Sequence, residues 1–223
     1  GSEMCIRDRF CKRPCFHDEY LQTFNNPNVE LVNTDGKGLE EISENGIIFD
    51  GKEYEVDCII FATGFEVGTD YSRRAGYQIH GSDGLTVSQK WGDGLSTFHG
   101  MHSRGFPNSF FFGPAQSGFT ATYTYSLDEQ SIHLAYILKK AKEQGATRIE
   151  ASEEAEEKWI NTIVEKARLT ATFQENCTPG YYNNEGKVNQ TPQNNTYGGG
   201  PIEFFSLMKK WRTKDNLEGL ELS

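Results

Sequence analysis

The sequence predicts an α/β fold, and three observations carry that reading. Residues 39–56 are divided by Asn45-Gly46 and Asp50-Gly51 into three short runs of strand character. Residues 57–65 (DCIIFATGF) and 105–114 (GFPNSFFFGP) are apolar on both faces and end on glycine, the pattern of strands inside a covered, often parallel, sheet. Downstream, apolar residues recur at helical spacing around residues 122–144, 152–167 and 202–217.

Residues 1–10 (GSEMCIRDRF) follow neither period and open on Gly-Ser, so they are read as non-native or frayed and are given no role. Residues 20–32 read as a short helical or loop segment followed by a strand at 28–32, where apolar and polar residues alternate after Asn26-Pro27. The next three runs, 39–42, 47–49 and 52–56, form a β-meander, because Asn-Gly and Asp-Gly supply the positive φ that tight hairpin turns need. The glycine-rich stretch 66–104 is irregular, with Trp91 and Phe98 as anchors.

The helix over 122–144 places Leu127, Leu134, Ile137, Leu138 and Ala141 on one face, with Gly145 at its end. A second helix starts at the N-cap Ser152, with Glu153 and Glu154 in the turn where the helix dipole favours them. Its apolar stripe is Trp159, Ile160, Ile163, Val164 and Ala167, and its acidic start reads as a solvated face. Residues 173–203 are rich in Asn, Gly and Tyr and too long for an idle loop in a compact domain, which points to a task such as lining a site. A last helix over 202–217 carries Phe204, Phe205, Leu207, Met208 and Trp211.

A net charge of −10, from 22 basic and 32 acidic residues, argues against nucleic acid as a partner. No stretch approaches the roughly 20 apolar residues of a membrane span and no leader is evident, so no membrane partner and a cytoplasmic location are expected. The 15 Phe, 10 Tyr and 3 Trp provide ample core material, which excludes disorder as a whole-chain reading. Five cysteines, odd in number and without C-x2-C spacing, suggest neither a disulfide framework nor a zinc site and fit a reducing compartment. The Asn-x-Ser/Thr matches at Asn176, Asn189 and Asn194 read as chance in an Asn-rich segment.

Three features could carry chemistry. A strand ending Ala62-Thr63-Gly64 can bring its backbone close to a dinucleotide, although many buried strands end this way. Gly113-Pro114, a loop and then a helix would aim a helix N-terminus at whatever lies beyond the strand, where an anionic ring would be stabilised. Cys11-Lys12-Arg13-Pro14 is either a basic surface turn or an anion site, Lys12 a point charge for phosphate and Arg13 a fixed fork for an oxyanion. The H-x2-H pair His99 and His102 reads as polar contacts of a loop rather than a metal site.

Taken in order, CKRPCFHDEYLQTFNNPNVELV, DGKEYEVDCIIFATGFEV, GFPNSFFFGPAQSG, CTPGYYNNEG and a late YGGG resemble the C-terminal part of Baeyer–Villiger monooxygenases over residues 11–212. The resemblance implies a flavoprotein using FAD and NADPH, in which a Rossmann-like FAD-binding domain is interrupted by a NADPH-binding domain. On that pattern residues 11–34 end the NADPH domain, 35–65 are the meander and return strand, and 66–223 are the C-terminal part of the FAD domain, with the substrate loop at 173–203. Lys12 looks like the lysine at the cofactor's 2′-phosphate. Arg13 looks like the catalytic arginine beside the flavin, where an always-charged guanidinium keeps the oxygenating species anionic.

By the same resemblance Thr63, Gly64, Gly113 and Pro114 approach the cofactor, and Phe119, Thr124, Tyr125 and Cys177 line a ketone pocket. Related disulfide reductases have Gly-Asp where this chain has Gly113-Pro114, and Cys11 and Cys15 are C-x3-C, so neither points to that branch. The glycine-rich FAD and NADPH fingerprints and the F-x-G-x3-H-x3-W signature are not in these residues, which implies that they lie upstream. Many members carry tryptophan in the late substrate loop, where this chain reads Asn176-Cys177-Thr178-Pro179. The expectation is a ketone-oxygenating enzyme using O2, whose missing N-terminal part is the natural partner of these residues. Taken alone they are expected to be inactive, with the strands at 58–62 and 109–112 deprived of sheet neighbours. The alternatives are an N- or S-oxygenating flavin monooxygenase and a non-catalytic module derived from a flavoprotein.

Overall fold

The computed structural model describes residues 17–63, 71–167 and 191–223. The chain divides into two compact units, 12–65 and a second that includes 66–223. Residues 1–16 and most of the loop 173–203 lie outside the described residues, as do Lys12, Arg13, Gly64 and Cys177.

In the first unit, helix α1 (Tyr20–Thr23) precedes a three-stranded antiparallel meander, β1 (Glu41–Ile42), β2 (Gly46–Phe49) and β3 (Lys52–Glu55). The register pairs Ile42 with Ile47, Ile47 with Tyr54 and Phe49 with Lys52. Asp50 and Gly51 both take positive φ, 50° and 70°, as an Asp-Gly hairpin requires. Gly46 serves a different purpose from the one expected. Its φ is not positive; a side chain there would collide with the Tyr54 carbonyl, so glycine is needed for the close approach of two backbones.

Two expected strands are absent from this unit. Residues 28–32 are turn and coil. Residues 57–63 are coil as well, with Ile60 85% and Phe61 69% exposed. A central strand is stabilised by ladder bonds and apolar cover on both faces, and residues 57–63 have neither here.

In the second unit, α2 (Tyr71–Ala75) and α3 (Val87–Lys90) are short, the latter closed by a capping box between Thr86 and Gln89. The expected strand over 109–112 is also missing, although Phe111 is buried and its N–H reaches Met101 O at 2.9 Å. Phe111, Val87 and Phe106 form a small cluster with Trp91 against it. The main core is built by α4 (Tyr123–Glu143), α5 (Glu153–Lys166) and α6 (Pro201–Thr213), with a two-stranded antiparallel ribbon of β4 (Ile149–Ala151) and β5 (Leu220–Leu222). Phe98, Ile137, Trp159, Ile163, Phe204, Met208 and Trp211 lie at its centre.

The three long helices fall where the period places them, with Ser152 Oγ accepting from Ala155 N at 3.2 Å and Gly145 at φ 72°. The buried face of α4 differs from the expected stripe. Ser126, Gln130, His133, Ile137 and Ala141 are buried, whereas Leu138 is 44% exposed and Leu127 and Leu134 are only partly covered. The helix lies over the loop at 113–120, whose backbone and hydroxyl groups need polar partners. Gln130 Nε2 donates to Gly113 O at 3.0 Å, and Ser126 Oγ meets Thr120 Oγ1 at 3.2 Å. The start of α5 is solvated at Glu153 and Glu154 but not at Glu156, which is buried and accepts from Lys90 Nζ at 2.8 Å and Arg104 N at 2.7 Å.

Candidate functional site

The loop between Phe111 and α4 gathers five of the residues singled out from sequence: Gly113, Pro114, Phe119, Thr124 and Tyr125. The carbonyl of Gly113 accepts from Ser117 Oγ at 2.5 Å and from Gln130 Nε2 at 3.0 Å, while Ser117 N closes a turn onto Pro114 O at 3.3 Å. A Cβ placed on Gly113 would meet nothing within 4 Å, so its outer side is open. Glycine is required at Gly118 for another reason, since a Cβ there would press on the Phe204 ring.

Beyond the loop, Thr120 Oγ1 donates to Thr122 O at 2.6 Å and α4 begins. Its N-cap Thr122 makes no side-chain cap and its first turn holds no acid. Residues 121–125 are all exposed. A helix of 21 residues therefore leaves its positive end open at residues 121–125, while Gly113 O is held two turns further along the same helix by Gln130. Phe119 lies 6.1 Å from the Tyr123 ring, and Tyr125 lies edge-on to Phe205 at 5.5 Å. An open glycine, a rigid proline, an uncapped helix start and exposed aromatic rings suit a flat, electron-rich ring system such as a flavin.

Of the other candidates, Thr63 is exposed in the coil of the first unit. Lys12, Arg13, Gly64 and Cys177 lie outside the described residues.

Sequence reasoning missed Gln116 and the histidines. His99, His102 and His133 are all buried, with His99 and His133 rings 5.4 Å apart and both packed against Trp211. One ring nitrogen of each, His99 Nδ1, His102 Nε2 and His133 Nε2, has no hydrogen-bond partner among the described residues, while His133 Nδ1 lies 3.4 Å from Arg212 Nη1. Burial pushes His102 down to about 4, and burial followed by the Arg212 charge pushes His133 down to about 3. His99 is lowered too, by burial first and then by its two histidine neighbours. Among the described residues no group of three or more His, Cys, Asp or Glu is arranged to hold a metal ion. The H-x2-H spacing was a visible signal; His133, from a helix thirty residues on, was not.

No family model matches the chain. It is 49% identical over 216 residues to pentalenolactone D synthase of Streptomyces exfoliatus, covering 96% of this chain and 37% of that protein. It is 42% identical over 217 residues to a Baeyer–Villiger monooxygenase of Stachybotrys chlorohalonatus, covering 96% and 35%. Among solved structures, the polycyclic ketone monooxygenase of Thermothelomyces thermophila superposes with a TM-score of 0.87 at 36% identity, covering 96% of this chain and 35% of that one. The chain thus spans little more than a third of the length of the relatives it matches. Further matches include an FAD-binding monooxygenase of Hypomyces subiculosus and an NADP+-bound cyclohexanone monooxygenase of Rhodococcus. No described helix is long and apolar enough to cross a membrane.

Proposed function

We propose, starting from the chain's membership of the Baeyer–Villiger monooxygenase family, to whose C-terminal part it corresponds, that the whole protein oxygenates a ketone to an ester or lactone. The balanced reaction consumes O2, NADPH and a proton and yields NADP+ and water beside the oxygenated product. FAD, when bound, would supply the redox chemistry with oxygen. The observation that carries the reading is the likeness over 96% of the chain to lactone-forming and ketone-oxygenating enzymes, with Gly113-Pro114 and the open start of α4 as its structural counterpart.

On this reading the protein's residues bind, orient and hold charge. Gly113 and Pro114 would hold the flavin by close backbone approach, and the uncapped first turn of α4 would favour negative charge near it. Thr63 and Gly64 mark the return of the chain from the NADPH domain of 11–34 into the FAD domain. Lys12 neutralises the 2′-phosphate of NADPH. Arg13 would stabilise negative charge beside the flavin, a task suited to a delocalised guanidinium with a fixed fork of donors. Phe119, Thr124, Tyr125 and the loop around Cys177 shape the ketone pocket and exclude water.

The test uses the full-length protein, purified with FAD and supplied with NADPH, 18O2 and a panel of cyclic ketones, amines and sulfides. The expected result is a lactone carrying one 18O per NADPH consumed. Arg13→Ala should abolish oxygenation while hydride transfer to FAD continues more slowly. Exclusive oxidation at nitrogen or sulfur, or an Arg13→Ala protein with intact ketone turnover, overturns the proposal.

A further inference from the structure

We propose that Gln116 is a positioning residue that fixes the loop 113–118 against three other parts of the chain, and thereby sets the approach of Gly113 to the flavin; the flavin part rests on the functional reading above. The side chain is completely buried and each of its polar groups is used. Oε1 accepts from Thr97 Oγ1, and Nε2 donates to Leu95 O at 2.7 Å and to Gln193 O at 2.8 Å. The main chain of the same residue is also engaged. Its N–H donates to Asn195 O at 2.8 Å, and its carbonyl accepts from the Trp159 indole at 3.1 Å. Residues 95–97, 113–118, 193–195 and helix α5 therefore meet at one residue, the first and third through its side chain and α5 through its main-chain carbonyl.

Gln116 holds a φ of 52°, a left-handed conformation that residues with a side chain rarely adopt. Such a conformation persists only where the surroundings determine it, and these hydrogen bonds do so. The amide is suited to the position because it offers two donors and an acceptor. Glutamate would set an oxygen against two carbonyls, and leucine would leave Leu95 O, Gln193 O and Thr97 Oγ1 without this partner. The start of the same loop is fixed independently, by Ser117 and Gln130 on Gly113 O. With both ends held, the backbone at Gly113 and Pro114 is in place before any cofactor arrives, which is what preorganisation of a site requires.

The test uses the full-length protein in four variants, Gln116→Leu, Gln116→Glu, Thr97→Val and Thr97→Ser, with the core variant Met208→Ala as a control for destabilisation alone. In flavin-free protein, amide exchange read by mass spectrometry should rise at least tenfold in Gln116→Leu and Gln116→Glu in peptides covering 93–97, 113–118 and 191–195 together. Thr97→Val should move part of the way and Thr97→Ser should match wild type. After reloading with FAD, Gln116→Leu should alter the visible spectrum of the bound flavin and lower product formed per NADPH at least fivefold. Met208→Ala should leave spectrum and ratio unchanged. Faster exchange confined to one of the three segments, or a Gln116→Leu spectrum and ratio equal to wild type, overturns the proposal, as does an equal response from Met208→Ala. If Gln116→Leu does not fold, the Thr97 pair decides by the same exchange readout. A wild-type protein that binds FAD but oxygenates no ketone overturns the Baeyer–Villiger reading alone, because exchange and flavin spectrum still report on Gln116.

Discussion

The two units of the chain contain comparable apolar runs and treat them in opposite ways. In the second, which includes residues 66–223, three helices bury a continuous core around Trp159, Phe204 and Trp211. In the first, Ile60 and Phe61 project from coil and Gly46 is the only buried residue described. A helix satisfies its own backbone and needs only a surface to lie on. A central strand borrows every ladder bond and both of its covers from other segments, and nothing within 17–63 lends them to residues 57–63.

That contrast can be broken or sharpened by measurement. The largest effect is expected from Phe204→Ala, which empties the middle of the helical core and should cost about 3–5 kcal/mol in chemical denaturation. A loss under ~1 kcal/mol would mean that this core does not hold the unit together. Acid should act on the same unit through its histidines. Because the folded-state pKa values lie below 6.5, the unfolded chain binds protons first; stability is full above about pH 6.5 and falls toward pH 4, by about 1.4 kcal/mol per pH unit for each histidine. A melting temperature that stays flat from pH 7 to pH 5 would contradict their burial, and His102→Gln should blunt the slope. Ser152→Ala should cost about 1 kcal/mol through the lost cap of α5. The smallest effect is expected in the other unit. Ile60→Ser should leave the 223-residue chain within about 0.5 kcal/mol of wild type by denaturant midpoint. In the full-length protein, where the proposed sheet neighbours are supplied, the same substitution should be clearly destabilising.

The comparison also explains what could be read from sequence. The meander and the helices α4, α5 and α6 were legible because their signals are local: Asp50-Gly51 at a hairpin, Ser152 at a cap, and apolar residues at helical spacing. The buried face of α4 was not, because Gln130 and Ser126 are buried to serve carbonyl and hydroxyl groups on a loop that sequence cannot place. The ribbon of β4 and β5 was missed for a similar reason, being two three-residue strands far apart in the chain. At the candidate site, Gly113, Pro114 and the helix after them could be read in order along the chain. Gln116 could not, since its partners at Leu95, Thr97, Trp159 and Gln193 converge only in three dimensions.

The β4 and β5 pairing has a consequence for the order of events during synthesis. Ile149 and Ala151 are buried, yet their ladder partners Leu222 and Leu220 lie about 70 residues downstream, and the carbonyl of Ser223 accepts from both Thr147 and Arg148. At roughly 5–20 residues per second a ribosome takes about 4–14 s to cover that distance, during which β4 is made but cannot be paired. Nascent chains stalled before residue 220 should therefore be cut by protease near 149–151, and chains released past Ser223 should resist. Residues 220–223 act as the clasp of this unit, and a translational pause ahead of them lengthens the time its edge stands open.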